Sequence, residues 1–147
     1  MVCLGNICRS PMAEGILRSK IEAQQLSVEV DSAATSDYHI DDVPDPRAVQ
    51  KCSDYGIDIR HLRGRQLQKV DFKTFDYIFV MDRSNLESAK QLTDDYADIA
   101  KLDLLLNLSS PGENKEVPDP YFGGKEGFEL MYQLLDKACD RFITQLT

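Results

Sequence analysis

Within the first dozen residues, Cys3-Leu-Gly-Asn-Ile-Cys-Arg9-Ser10-Pro11 sets a thiol and a guanidinium five residues apart. Two of the five, Gly5 and Asn6, tolerate positive φ. Such a loop can turn successive backbone N–H groups inward as an anion nest. The helix expected after it aims its positive end at the same point. Cys3 stands at the mouth and Arg9 closes the loop, and Leu4, Gly5, Asn6, Ile7, Cys8 and Ser10 complete the cradle. A free thiol is only about 3% ionised at neutral pH, whereas a cation and a helix N-terminus can make the thiolate a major species. The chemistry implied is attack by a thiolate on a bound phosphate monoester. Arg9 offers a planar fork for two phosphate oxygens. Ser10 can donate to the sulfur or cap the helix.

Positioning that loop requires a strand before it and a helix after it. Met1-Val2 reads as a short strand stub. Pro11 to about Gln25 reads as a helix, with Met12, Ala13, Ile16 and Leu17 on one face. Ser27–Ala33 alternates as a strand does. Asp45-Pro46 starts a helix that Gly56 ends. Asp76–Met81 is a buried strand, followed by a helix capped by Ser84 with Glu87. Leu102–Leu106 is another strand, and Ser109–Gly124 a Pro- and Gly-rich loop. Glu126–Leu146 is a last helix with Phe128, Met131, Leu135, Cys139, Phe142 and Leu146 along its core face. This alternation predicts an α/β fold over residues 1–147, a single domain. Its small parallel sheet, about four strands, carries helices on both faces and the phosphate-binding loop after strand 1.

Composition narrows the function. Apolar residues are 42% and charged residues 29%, as in soluble globular proteins. No apolar run reaches membrane-span length and no signal-peptide pattern opens the chain, so a cytoplasmic protein with no membrane partner is expected. A net charge of −8 speaks against nucleic acid and requires that any phosphate be held by local donors. Cys3, Cys8, Cys52 and Cys139 match no zinc spacing, and no metal site or cofactor is expected.

The loop strongly resembles the signature of the low-molecular-weight protein tyrosine phosphatases, a Cys-x5-Arg-Ser motif near the N-terminus. Asp31-Ser-Ala-Ala-Thr-Ser36, His61, Arg65-Gln66, Met81-Asp-Arg-Ser-Asn85 and Asp119-Pro-Tyr121 extend the likeness over nearly the whole chain. The resemblance implies Cys3 as nucleophile, Arg9 as phosphate ligand and Asp119 as general acid; by itself Asp-Pro would be ordinary turn chemistry. It implies that Asn6 holds the loop, with His61 and Ser32 or Ser36 as partners. It makes Leu4, Ile7, Tyr38 and Tyr121 the pocket walls, and Cys8 either a redox partner for Cys3 or a buried neighbour. Its substrates would be phosphotyrosine proteins or peptides, with inorganic phosphate as product. Phe122 stands where some members have a second Tyr. Members usually carry more apolar residues before the loop, so strand 1 is expected to be shortened here. Ile7, where arginine phosphatases of the family usually have Thr, favours an aryl ring. Arsenate reduction would need clustered cysteines, which Cys52 and Cys139 do not provide. A phosphate-binding module without turnover would need neither Cys3 nor Asp119.

Overall fold

Val2 and Cys3 form β1, two buried residues at the centre of the sheet. The computed structural model describes residues 1–121 and 124–147. The other strands are β2 (Ala33–Ala34), β3 (Ile78–Val80) and β4 (Leu102–Leu104). They run in the order β2-β1-β3-β4, all neighbours parallel. Val2 sits opposite both Ala33 and Val80, and Ile78 opposite Leu102.

Side chains of successive strand residues go to opposite faces. Cys3, Phe79 and Met81 join one apolar cluster, and Val2, Ile78 and Val80 another. Both faces are buried, which is why Ile78–Val80 reads as an unbroken apolar run. The larger cluster lies under α1 (Arg9–Ala23), α2 (Pro46–Asp54) and α6 (Lys125–Leu146). The smaller takes Phe72 from α3 (Asp71–Thr74) and Ala89 from α4 (Arg83–Lys90). A short α5 (Tyr96–Ile99) precedes β4. At Gly15 of α1 an added Cβ would lie 2.5 Å from Ile59 Cγ2, so glycine permits a close helix-to-loop approach.

Several expectations are corrected. α1 begins at Arg9, not Pro11, with Cys8 at its N-cap and Pro11 in the third helical position. Ser10 is therefore inside the helix rather than its cap. Of the Ser27–Ala33 segment only Ala33 is strand; it pairs with Val2, and β2 ends at Ala34 opposite Cys3. Val28 and Val30 instead pack sideways onto the core. Helix α4 is capped by Asp82, whose carboxylate accepts from Asn85 N at 2.8 Å while Asn85 Oδ1 accepts from Asp82 N at 3.2 Å. Ser84 and Glu87 play no part in that box. Leu105–Asn107 is a 3-10 turn, not strand. α3 and α5, each a single turn, carry no periodic signal in the sequence. Leu146, expected on the core face, is exposed as the last residue of α6.

Candidate active site

The end of β1 delivers the Cys3 side chain to the centre of the loop, and α1 returns from it at Arg9. Asn6 adopts φ +58°, the left-handed turn its side chain tolerates. That turn aims Asn6 N–H at Cys3 Sγ, 3.3 Å away. Ser10 Oγ lies 3.0 Å from the same sulfur. The first intrahelical bond of α1 runs from Met12 N to Cys8 O, so the preceding N–H groups belong to the unpaired first turn. Pro11 brings no N–H to that turn.

The loop is held from behind. Asn6 Nδ2 donates to Ser10 Oγ at 2.7 Å and to Ser32 Oγ at 2.9 Å, and Asn6 Oδ1 accepts from Arg65 N at 3.1 Å. Ser32 Oγ donates to Glu14 Oε1 at 2.6 Å, and Glu14 pairs with Arg18 at 2.7 Å. Glu14 is 2% exposed, a buried carboxylate tolerable only because both oxygens are matched. Ser36 acts elsewhere: its N–H and Oγ both donate to Leu4 O. His61 is not brought in; it is exposed, and the place expected for it beside Asn6 is taken by the Arg65 backbone.

Arg9 is buried and fixed on one side. Its Nη1 donates to Asp82 Oδ2 at 2.7 Å and to Val117 O at 3.1 Å. The Asp82 carboxylate thus caps α4 through one oxygen and orients Arg9 through the other. Arg9 Nη2 lies 3.5 Å from Asp119 Oδ2, and Asp119 Oδ1 accepts from Tyr121 N at 3.1 Å. A cavity of about 250 Å³ opens between these groups. Cys3, Gly5, Cys8, Arg9 and Asp119 line it, with Leu4, Ile7, Tyr38, His39 and Tyr121 as walls. Asn6 and Ser10 lie behind it. His39, which the sequence reading passed over, packs beside Gly5 and is braced through Nδ1 by Asp42 at 2.9 Å.

The thiols differ in surroundings. Burial pushes Cys52 and Cys139 up to about 12 each. Burial, then the Asp45 charge, raises Cys8 well above its ordinary value. Burial works against ionisation of Asp45, yet hydrogen bonds from Arg47 hold its carboxyl below the usual range. All four cysteines are free. Phe122 lies outside the described residues.

The family model for low molecular weight phosphotyrosine protein phosphatase matches residues 1–147. The chain belongs to that family. A low molecular weight phosphotyrosine protein phosphatase of Schizosaccharomyces pombe is 45% identical over 139 residues, covering 92% of this chain and 88% of that one. A protein tyrosine phosphatase of Entamoeba histolytica, solved with Hepes in its active site, superposes with a TM-score of 0.91 at 35% identity, covering 99% of this chain and 93% of that one. An arginine phosphatase of Drosophila superposes at 0.88 and 35% identity, covering 99% and 95%. The same fold is thus shared by a protein named a tyrosine phosphatase and one named an arginine phosphatase.

Glu14, Arg65, Asp82 and Arg47 were not singled out for these roles by sequence reading. Glu14 and Arg18 stand four apart on a helix, a legible ion-pair spacing. Asp82 stands just before the first residue of α4, with Met81 alone between it and β3, a legible place for a cap. Arg65 acts through its backbone, which no side-chain pattern announces.

Proposed function

We propose that this protein hydrolyses phosphotyrosine monoesters through a phosphocysteine. The observation carrying this reading is that one cavity is lined at once by Cys3, Arg9 and Asp119, behind walls of Ile7, Tyr38 and Tyr121. The phosphate oxygens are taken by the loop N–H groups and the Arg9 edge that bears Nη2. Fixed donors of this sort supply most of the stabilisation in phosphoryl transfer. Cys3 Sγ attacks phosphorus in line. Asp119 gives its proton to the departing tyrosyl oxygen, a contribution of roughly 10²–10⁴-fold. Asp119, now a carboxylate, takes a proton from water, which attacks the phosphocysteine and releases inorganic phosphate. Ser10 donates to the sulfur as it leaves. Splitting one hard displacement into two is the gain from a covalent intermediate.

Ile7 presents an apolar wall suited to an aryl ring, which supports phosphotyrosine over phosphoarginine. The reading is tested by assaying p-nitrophenyl phosphate, phosphotyrosine peptide, phosphoarginine and arsenate side by side. Turnover of the two aryl esters, lost in Cys3→Ser while phosphate still binds, is expected. Turnover of phosphoarginine alone would contradict the assignment.

Of the two readings of Cys8, redox partner or buried neighbour, we propose the first. Peroxide converts the Cys3 thiolate to a sulfenic acid, and the Cys8 thiol displaces water from it to close a disulfide. The expected outcome is that dithiothreitol restores peroxide-treated wild type but not Cys8→Ala. Equal recovery of both would remove the role.

A further inference from the structure

The two loops that must meet for reaction are joined by one ion pair that takes no part in the chemistry just described. Asp45, at the N-cap of α2, donates its backbone N–H to Ile7 O at 2.8 Å, inside the phosphate loop. Its carboxylate accepts Arg47 Nε at 3.1 Å, Arg47 Nη2 at 2.9 Å and Arg47 N at 2.8 Å. Held this way, the guanidinium is a planar plate with a set direction. Its Nη2 also donates to Tyr121 O at 2.7 Å, in the loop that carries the acid. The plate lies 4.9 Å from the Phe128 ring of α6 and 5.7 Å from the Tyr121 ring. Tyr121 N then donates to Asp119 Oδ1, and Asp119 Oδ2 faces Arg9. The connections form a closed circuit: phosphate loop, Asp45, Arg47, Tyr121, Asp119, Arg9.

From Ser109 to Tyr121 the chain has little regular structure to fix its distance from Cys3. A general acid acts only within hydrogen-bond reach of the leaving oxygen, and an error near 1 Å can cost about 10²-fold. We propose that Arg47 is a positioning residue for Asp119, setting the acid loop against the phosphate loop through Asp45 below and Tyr121 above. Arg47 touches neither the sulfur nor the phosphate site, so its removal should spare nucleophilic attack and impair leaving-group protonation.

This rests on the phosphatase reading, and leaving-group dependence separates the two. kcat/KM is measured for a series of aryl phosphates from nitrophenyl to phenyl, with wild type, Arg47→Met, Arg47→Lys and Asp119→Asn, alongside melting curves. Leaving groups of low pKa depart unaided, whereas phenolate needs the proton. The expected result for Arg47→Met is a loss of roughly ten- to a hundredfold on phenyl phosphate, with under about threefold on the nitrophenyl ester. Its slope against leaving-group pKa should approach that of Asp119→Asn. Arg47→Lys, which keeps the charge but not the fork, should fall between. A purely structural role would lower the melting temperature and reduce all substrates equally. Parallel lines for Arg47→Met and wild type would therefore overturn the inference while leaving the phosphatase intact. A wild-type chain that hydrolyses none of the series would overturn both.

Discussion

Asn6 carries more of the site than its place between Gly5 and Ile7 suggests. Its backbone supplies the positive φ that turns the loop, and its side chain bonds Ser10, Ser32 and the Arg65 backbone. Alanine there keeps the strained φ and leaves buried partners unmatched. Asn6→Ala should cost about 2–3 kcal/mol of stability and lower kcat/KM more than KM alone explains, read by urea unfolding and steady-state rates. An unchanged urea midpoint would mean the network is replaced by water. Asp82→Asn is expected to act differently. Asn still caps α4, but loses the charge that orients Arg9. Stability should change by under about 1 kcal/mol while phosphate affinity falls about tenfold or more. A matching loss in both would place the effect in folding. Cys3 and Arg9 are legible from type and spacing, because a thiol and a guanidinium flanking a Gly-Asn turn suggest little besides anion chemistry, whereas Asp119 is legible only through the family resemblance. The supporting residues are not legible, since Glu14, Arg65 and Asp82 act across 18, 59 and 73 residues of chain. His61 illustrates the converse: a motif position suggested a partner, and a backbone N–H fills the place.

The elements were read well where periodicity is long. α6 and α2 start and stop within a residue or two of the expected points, Asp45 capping and Gly56 turning at φ +77°. Strands were overextended, because apolar alternation records burial and not pairing. Val28 and Val30 are covered without a ladder partner. One-turn helices leave no periodic trace, so α3 and α5 escaped notice. The crossing of α1 over the Ile59 segment depends on a missing side chain. Gly15→Ala places a Cβ against Ile59 Cγ2 and should cost about 1–3 kcal/mol by overpacking, despite the higher helix propensity of alanine. Greater stability in the variant would show that the loop can withdraw.

Across the whole molecule, buried carboxylates are matched by cations and hydroxyls, as at Asp98 and Asp45. Asp98, 1% exposed, receives Lys73 Nζ at 2.8 Å and Thr93 Oγ1 at 2.6 Å, and these bonds hold its carboxyl below the usual range. Asp45 is held low as well. Folded values below unfolded ones contribute stability that is complete above the ordinary carboxylate pKa of about 4 and is lost as pH falls through the depressed native values. Unfolding free energy should thus be flat from neutrality to about pH 5 and decline on further acidification. Thr93→Val removes one of the bonds that favour ionised Asp98, so its acid midpoint should lie at higher pH than wild type. A midpoint at lower pH would contradict that. No helix among the described residues is long and apolar enough to cross a membrane.

The most direct measurement is acid quenching during turnover of an aryl phosphate, followed by mass spectrometry of the peptide bearing Cys3 and Cys8. One phosphoryl group is expected, on the Cys3 sulfur, that vanishes when substrate is exhausted and never forms in Cys3→Ser. Steady hydrolysis with that sulfur unmodified at every time point would contradict it.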